Sequence, residues 1–394
     1  MDKDILQKIL ILLSALILFA CGGGSGGSSQ QGGPAASPPE LTDLNPEAND
    51  SSVMFGLPIT ATFDRDMEVG SESTFVVYGS QTGKLSGMFT GGGTDTLSFA
   101  STDPFKAGEE IEVILTDLLT STEGQFLESP FVYRFRAEAL GGTGIFAVVD
   151  TVSGQTGIRA LVAGDWDRNG DLDLAAANFD NNEVAILRND GSGDFTFTAG
   201  DAVSPLTDPK VLAAGDWDGN GYLDLAANDG TNTVVVLKND GNGNFTVVDT
   251  VLGQTGIQAL VAGDWDGDGV LDLAAANFDN NEVAILRNDG SGDFTFTAGD
   301  TVSGQTNVQA LVAGDWDGDG VLDLAAANFD NNEVAILRND GSGDFTFTAG
   351  DTVSPLTDPK VLAAGDWDGD GDLDLVANDG TNTVKVLGND ELSP

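Results

Sequence analysis

The stretch Gly164-Asp165-Trp166-Asp167-Arg168-Asn169-Gly170-Asp171-Leu172-Asp173-Leu174 decides the fold, because it recurs four more times along the chain. The first aspartates of the five copies are Asp165, Asp216, Asp264, Asp315 and Asp366, at intervals of 51, 48, 51 and 51 residues. Residues 264–303 and 315–354 are identical over 40 positions, as expected of a recent tandem duplication. A repeat period of about 50 residues indicates a propeller or a solenoid.

Each unit contains four short apolar runs, which is the number of strands in a propeller blade. The fifth unit has three of these runs, whereas residues 146–152 match the Phe-led run at residues 245–251 of an earlier unit. We therefore expect residues 146–152 to complete the last blade and to close a ring of five blades without a free sheet edge. An open solenoid would not need this complementarity.

The repeated stretch is an acidic loop with oxygen ligands at positions 1, 3, 5 and 9. Calcium prefers six to eight oxygen ligands at about 2.3–2.6 Å. Glycine at position 6 permits a sharp turn, and position 7 would add its backbone carbonyl. The predicted metal-binding residues are Asp165, Asp167, Asn169, Asp171 and Asp173; Asp216, Asp218, Asn220, Tyr222 and Asp224; Asp264, Asp266, Asp268, Val270 and Asp272; Asp315, Asp317, Asp319, Val321 and Asp323; and Asp366, Asp368, Asp370, Asp372 and Asp374. About five calcium ions are therefore expected.

An EF-hand, a magnesium site and an ordinary polar turn all fit the repeated loop less well than this calcium loop. An EF-hand needs a bidentate glutamate at position 12, where Ala176, Ala275 and Ala326 stand here. Magnesium prefers fewer carboxylates and retained waters. An ordinary polar turn explains one such loop, but not five copies between β-forming runs.

All five tryptophans occupy loop position 2: Trp166, Trp217, Trp265, Trp316 and Trp367. One interpretation is a wedge that packs between neighbouring blades. The other is a ring of exposed platforms for sugar rings.

The motif Gly-Asp-Trp-Asp-Gly-Asp-Gly-x-Leu-Asp-Leu-Ala, followed by an Asn-Asp-Gly-x-Gly-x-Phe turn, resembles the FG-GAP/VCBS repeat family. The resemblance covers residues 142–394 and implies a β-propeller. In the integrin α-subunit propeller, a member of that family, such loops bind calcium on the lower face. The resemblance therefore implies calcium here, but no ligand, because integrin ligand contacts lie in variable loops and partner subunits.

Residues 1–20 have the pattern of a signal peptide, since Lys3 and Lys8 accompany an apolar run too short to span a bilayer. The end of the run, Leu-Phe-Ala-Cys21, resembles a bacterial lipobox and implies acylation of Cys21. An ordinary secretory signal is the alternative. Residues 21–38 are rich in Gly, Ser and Pro and are expected to form a flexible tether. Because residue 22 is not Asp, the lipobox resemblance implies an exported bacterial lipoprotein of the outer membrane or cell surface.

Residues 39–138 contain short alternating β-rich runs, such as residues 59–63, 96–99 and 131–135. Some seven strands in about 100 residues suggest a sandwich. The segment resembles the bacterial Ig-like domain of S-layer and surface proteins, which usually acts as a spacer. The predicted fold class is all-β, an N-terminal Ig-like β-sandwich followed by a five-bladed calcium-binding β-propeller.

Composition excludes several functions. The formal net charge of −47 argues against nucleic acid as a partner and leaves the lipid anchor as the only expected contact with a membrane. The chain has no histidine and one cysteine, which excludes Cys/His zinc sites and catalysis by Ser-His-Asp or Cys-His groups.

Three functional hypotheses follow. The leading one is a surface-anchored, calcium-braced binding or adhesion module for carbohydrate or a surface protein. The second is a purely structural envelope protein without a dedicated ligand. A polysaccharide-acting enzyme comes third, because carboxylate catalysis requires a singular acid pair and the units are near copies. We therefore predict no catalytic residues.

Overall fold

The computed structural model describes residues 37–50, 52–54, 56–139, 148, 151–191, 197–230, 232–290, 296–341, 347–367, 372–380 and 382–389. Cys21, with the predicted signal peptide and nearly all of the tether, lies outside these residues. Within the described part, no helix is long and apolar enough to cross a membrane.

The N-terminal domain is a β-sandwich of two four-stranded sheets. Its strands are β1 (Leu41–Asn45), β2 (Ile59–Phe63), β3 (Phe75–Gly79), β4 (Gly83–Lys84), β5 (Gly87–Thr90), β6 (Thr96–Ser101), β7 (Glu110–Leu115) and β8 (Phe131–Arg136). One sheet has the order β1-β2-β6-β5 and the other β4-β3-β7-β8. A 3₁₀ turn at Ser71–Thr74 precedes β3. The number of strands is one more than the sequence suggested.

Alternation along the strands builds the core of this sandwich. In β2, Ile59, Ala61 and Phe63 are buried, while the two threonines between them are half-buried. Phe99 of β6 joins the same apolar cluster, as does Tyr133 of β8 in the other sheet. The alternating faces of two sheets therefore close over one core.

The repeats form five separate antiparallel sheets. Their strands are β9 (Ile158–Gly164), β10 (Asp173–Asn178), β11 (Glu183–Asn189), β12 (Phe197–Val203); β13 (Leu212–Gly215), β14 (Asp224–Asn228), β15 (Thr233–Asn239), β16 (Phe245–Leu252); β17 (Ile257–Gly263), β18 (Asp272–Asn277), β19 (Glu282–Asn288), β20 (Phe296–Ser303); β21 (Val308–Gly314), β22 (Asp323–Asn328), β23 (Glu333–Asn339), β24 (Phe347–Val353); and β25 (Leu362–Gly365), β26 (Asp374–Asp379), β27 (Thr383–Leu387). A 3₁₀ turn at Phe179–Asn181 joins β10 to β11.

Each sheet is a meander of consecutive strands, and the described residues supply four strands to each of the first four sheets and three to the fifth. The first strands of successive sheets pack against one another, from β9 through to β25. The second strand is buried along most of its length, and alanine predominates there because neighbouring sheets approach closely on both sides. One sheet per unit is the arrangement that the sequence predicted.

The first and fifth sheets each expose apolar side chains that are buried in the inner sheets, as expected if the two end sheets do not pack against each other. Leu161 in the first sheet is 56% exposed, whereas the equivalent Leu260 and Leu311 are 8% and 7% exposed. In the fifth sheet Val384 is 70% exposed, whereas the equivalent Val334 is fully buried.

The strand predicted to close the ring lies outside the described residues except for residues 148, 151 and 152. Val152 packs against Ala176, Ala185 and Leu187 of the first sheet. Val251, its counterpart in sequence, is buried in the core cluster that includes the third sheet. Five sheets are therefore present, while closure stays a prediction that the exposed end faces disfavour.

Candidate metal centre

Three carboxylates converge in each of the first four loops, at positions 1, 3 and 9. One oxygen from each lies within 4.8 Å of the others in the group. The groups are Asp165, Asp167 and Asp173; Asp216, Asp218 and Asp224; Asp264, Asp266 and Asp272; and Asp315, Asp317 and Asp323. In the fifth loop, Asp368 and Asp370 lie outside the described residues.

The position 9 aspartate is fixed by three strands at once. Asp272 begins β18 and pairs with Gly263 at the end of β17. One of its oxygens accepts a hydrogen bond from Trp265 N at 3.2 Å, and the other accepts one from Asn288 N at 2.8 Å. Asp173 and Asp323 make the same pairs of bonds. The loop therefore closes where the strands of one sheet meet.

The position 1 aspartate shapes the turn through the glycine at position 6. Asp264 Oδ2 accepts a hydrogen bond from Gly269 N at 2.9 Å, and Asp315 Oδ2 accepts one from Gly320 N at 3.0 Å. These glycines have φ of +89° and +86°, a conformation that L side chains rarely adopt. Glycine at position 6 thus has the turning role that the sequence predicted.

Position 5 differs from the other predicted side-chain ligands. Asp268 Oδ1 accepts from Val270 N at 2.9 Å, and Asn220 Oδ1 accepts from Tyr222 N at 2.7 Å. The convergent groups among the described residues do not include Asp268 or Asp319. The structure thus groups the carboxylates at positions 1, 3 and 9, and coordination through positions 5 and 7 stays a prediction.

The donor set fits a calcium ion. Asp165 Oδ1 and Asp224 Oδ2 are buried and have no hydrogen-bond partner among the described residues. A buried carboxylate oxygen without a partner carries a desolvation penalty that a cation would offset. An all-oxygen, carboxylate-rich group without nitrogen or sulfur is the set that Ca²⁺ prefers.

Basic side chains at the ends of third strands neutralise part of this charge. Lys238 Nζ lies 2.6 Å from Asp218 Oδ2, and Arg287 Nη2 lies 2.8 Å from Asp266 Oδ2. Each contacts the position 3 carboxylate and leaves two further acids in its group, so a divalent ion still finds net negative charge there.

Burial raises the pKa of the loop carboxylates, and neighbouring aspartates add to the effect. The pKa of Asp224 rises to about 8, as does that of Asp323. The pKa of Asp216 rises to about 6 despite opposing backbone hydrogen bonds. Without a metal, these groups therefore keep protons that an exposed aspartate would lose.

The metal-free protein should lose stability as pH rises. The unfolded-state pKa of aspartate is about 3.9, well below the folded-state values for Asp224 and Asp323. The stabilisation from their bound protons is complete below about pH 4 and is lost as pH approaches about 8. We expect the Tm of calcium-free protein to fall over this range in thermal melts, and to fall less with saturating calcium, which binds the ionised form. A calcium-free Tm that rises between these limits would contradict the assignment.

The tryptophans at position 2 are wedges in four of the five units. Trp166 and Trp217 are fully buried, Trp265 is 1% exposed, Trp316 is 6% exposed, and Trp367 is 53% exposed. Trp166 meets Phe245 of the next unit edge-on, with ring centroids 5.7 Å apart. The wedge interpretation is confirmed for four tryptophans, and their burial rules out the alternative of exposed sugar platforms at those positions.

An asparagine at or just after the end of the third strand joins the second to fifth units to the unit before each, and sequence reasoning missed this role. Asn239 Nδ2 donates to Trp166 O of the preceding unit at 2.8 Å, and Asn288 Nδ2 donates to Trp217 O at 2.6 Å. Asn339 and Asn389 make equivalent bonds. The available signal was the Asn-Asp pair that recurs in every unit and is followed by Gly in the first four, which indicates a hairpin turn.

Comparison with known families agrees with the geometry. The model of the FG-GAP-like repeat matches residues 169–227, 225–275, 264–326 and 315–377, which together span more than half of the chain. The model of the bacterial Ig-like domain matches residues 35–137. No curated protein matches the chain.

Several solved structures are similar at low identity. BBS1N in complex with ARL6DN has 12% identity and a TM-score of 0.45, covering 72% of this chain and 76% of that one. A lectin of Agrocybe aegerita that recognises non-reducing terminal N-acetylglucosamine has 18% identity and a TM-score of 0.41, covering 80% and 90%. The periplasmic gluconolactonase PpgL of Pseudomonas aeruginosa has 13% identity and a TM-score of 0.40, covering 72% and 68%. Similarities at this level carry no argument about ligand or activity.

The five sheets and their loops define a protein of tandem β-sheet repeats, in which three loop carboxylates of each of the first four repeats are grouped as metal ligands would be. The chain belongs to the FG-GAP-like repeat family and carries a bacterial Ig-like domain before its repeats.

Proposed function

We propose that the repeats bind about five calcium ions and form a rigid, surface-displayed module that binds carbohydrate or another surface protein. The observation that carries the metal assignment is the convergence of three carboxylates at the same place in four successive loops. The predicted anchor at Cys21 would hold the module at the outer membrane or cell surface.

Repetition supports a binding role over catalysis. Near-identical units present the same weak contacts several times, and avidity then supplies affinity without one deep site. A catalytic acid pair would require one unit to differ from the rest. The buried Glu112 of the Ig-like domain is bound by Arg134 at 2.6 Å, so it is not a free acid. We therefore propose a non-enzymatic module.

A purely structural role is the second candidate, favoured by the buried tryptophans. They pack between units, and four of the five are too buried to serve as sugar platforms.

A glycan array probed with the full exported chain, in calcium and in EDTA, tests the binding function. We expect a defined set of glycans that bind in calcium and are lost in EDTA. Absence of binding in both conditions, together with no captured surface protein, would overturn the carbohydrate or protein ligand and leave the structural role. Equal glycan binding in calcium and in EDTA would show that ligand binding does not require calcium in the loops, and would contradict a calcium-braced binding module.

A further inference from the structure

The Ig-like domain lies directly on the metal loops of the repeats. Its contacts fall repeatedly on the glycine at loop position 6. Lys106 Nζ donates to Gly170 O at 2.6 Å in the first loop. Tyr78 OH donates to Gly269 O at 3.1 Å in the third loop. The fourth loop repeats the pattern, since Val132 N donates to Gly320 O at 2.6 Å.

The second loop is engaged through its position 1 carboxylate. Lys84 N donates to Asp216 Oδ2 at 3.1 Å. In the first loop, Asp165 N also donates to Gln81 O at 3.1 Å, and Lys106 Nζ lies 3.9 Å from Asp165 Oδ2. Four successive metal loops therefore contact one domain.

The two surfaces fit closely. A Cβ placed on Gly320 would lie 1.9 Å from the Phe131 ring, and one on Gly267 would lie 2.1 Å from Pro130. Tyr78 is 4% exposed and belongs to the same buried apolar cluster as residues of the repeats. The Ig-like domain is thus docked on the repeats rather than held at a distance from them.

We propose that the metal-loop face is the docking surface of the chain's own Ig-like domain, and that calcium in the loops holds the domain there. The proposal rests on the proposed calcium binding. In the first, third and fourth loops, the contacts to the position 6 carbonyls do not use any predicted ligand atom, so these loops can hold the metal and the domain together.

The physical link is the shape of the loop. In a metal-free loop whose carboxylates are ionised, three carboxylates within 4.8 Å of one another repel. Relief of that repulsion spreads the loop and displaces the glycine carbonyl between positions 1 and 9. Calcium restores the shape and the hydrogen bond. Because coupling between two binding events is reciprocal, a docked Ig-like domain also tightens calcium binding.

The docked domain covers the metal-loop face of the first four units. We therefore expect a ligand of the repeats to bind at their outer edges or at the opposite end of the sheets, where turns such as 279–281 lie.

The test is fluorescence energy transfer across the interface in the full exported chain, with Cys21→Ser and dyes on new cysteines. The dyes are placed at Met88→Cys in the Ig-like domain and at Leu252→Cys in the repeats. The wild-type side chains at these positions are 68% and 74% exposed. We expect one narrow transfer efficiency in calcium, and a lower, broader distribution in EDTA. Unchanged transfer after confirmed loss of calcium would overturn the coupling while leaving calcium binding intact.

A variant pair tests the reciprocal effect. Tyr78→Phe with Lys106→Ala removes two glycine contacts, and we expect calcium affinity to fall about threefold to tenfold. Thr42→Ala is the matched control, since it removes a hydrogen bond to Thr62 O within the Ig-like domain, away from the repeats. Equal affinity in the double variant, the control and the wild type would overturn the coupling. No calcium binding in any of them would overturn the proposed function instead.

Discussion

Replacement of Trp217 by alanine is expected to lower the free energy of unfolding by about 3–5 kcal/mol, the usual cost of removing a large buried aromatic side chain. Trp217 is fully buried. Its ring meets Phe296 of the next unit edge-on, with centroids 6.2 Å apart. The substitution therefore opens a cavity between two units, and urea denaturation would measure the loss.

Trp367→Ala is the matched control, because the same loop position is 53% exposed in the fifth unit. We expect it to cost about 1 kcal/mol or less. A loss as large as that for Trp217 would show that the fifth sheet packs against another unit. That result would support the closed ring predicted from sequence and contradict the exposed end faces of the structure.

Chelation is the second change with a large expected effect. Positions 1, 3, 5 and 9 of the five loops carry eighteen acidic side chains. Ligand binding to the folded state adds about 2.7 kcal/mol per site at a hundredfold excess over Kd. Several such sites in one folded unit imply that excess EDTA lowers the Tm by more than about 10 °C in thermal melts.

Two controls isolate the calcium effect. Added sodium chloride screens exposed charges but does not occupy the loops, so it should restore little of the lost Tm. Restored calcium should return nearly all of it. A melting curve that is the same in calcium and in excess EDTA would contradict a structural role for the ions.

Much of the fold was predictable because its signals are local and repeated. The period fixed the number of units, and the alternation of apolar residues fixed the strands. The acidic spacing identified positions 1, 3 and 9, since those side chains return to one place whenever the loop curls. The part played by position 5 is not contained in that spacing, because its oxygen accepts a hydrogen bond from the position 7 amide and that bond depends on the backbone path.

The features that the sequence did not predict depend on contacts between segments that are far apart in the chain, or on whether a neighbouring sheet covers a unit. The Tyr78 contact with Gly269 joins residues that are 191 positions apart, and neither segment signals the other. Leu161 and Leu260 occupy the same place in near-identical units, yet only Leu260 is covered. Such differences arise from what packs against a unit, and the sequence of the unit does not contain that information.

Direct calorimetric titration of calcium into metal-stripped protein tests the central claim. We predict four or five bound ions per chain, one per loop. Asp272→Asn, which removes one charge from the buried group of the third loop, should abolish or greatly weaken one of these sites and leave the others. Absence of calcium binding, or an unchanged number of sites of unchanged affinity in Asp272→Asn, would contradict the account.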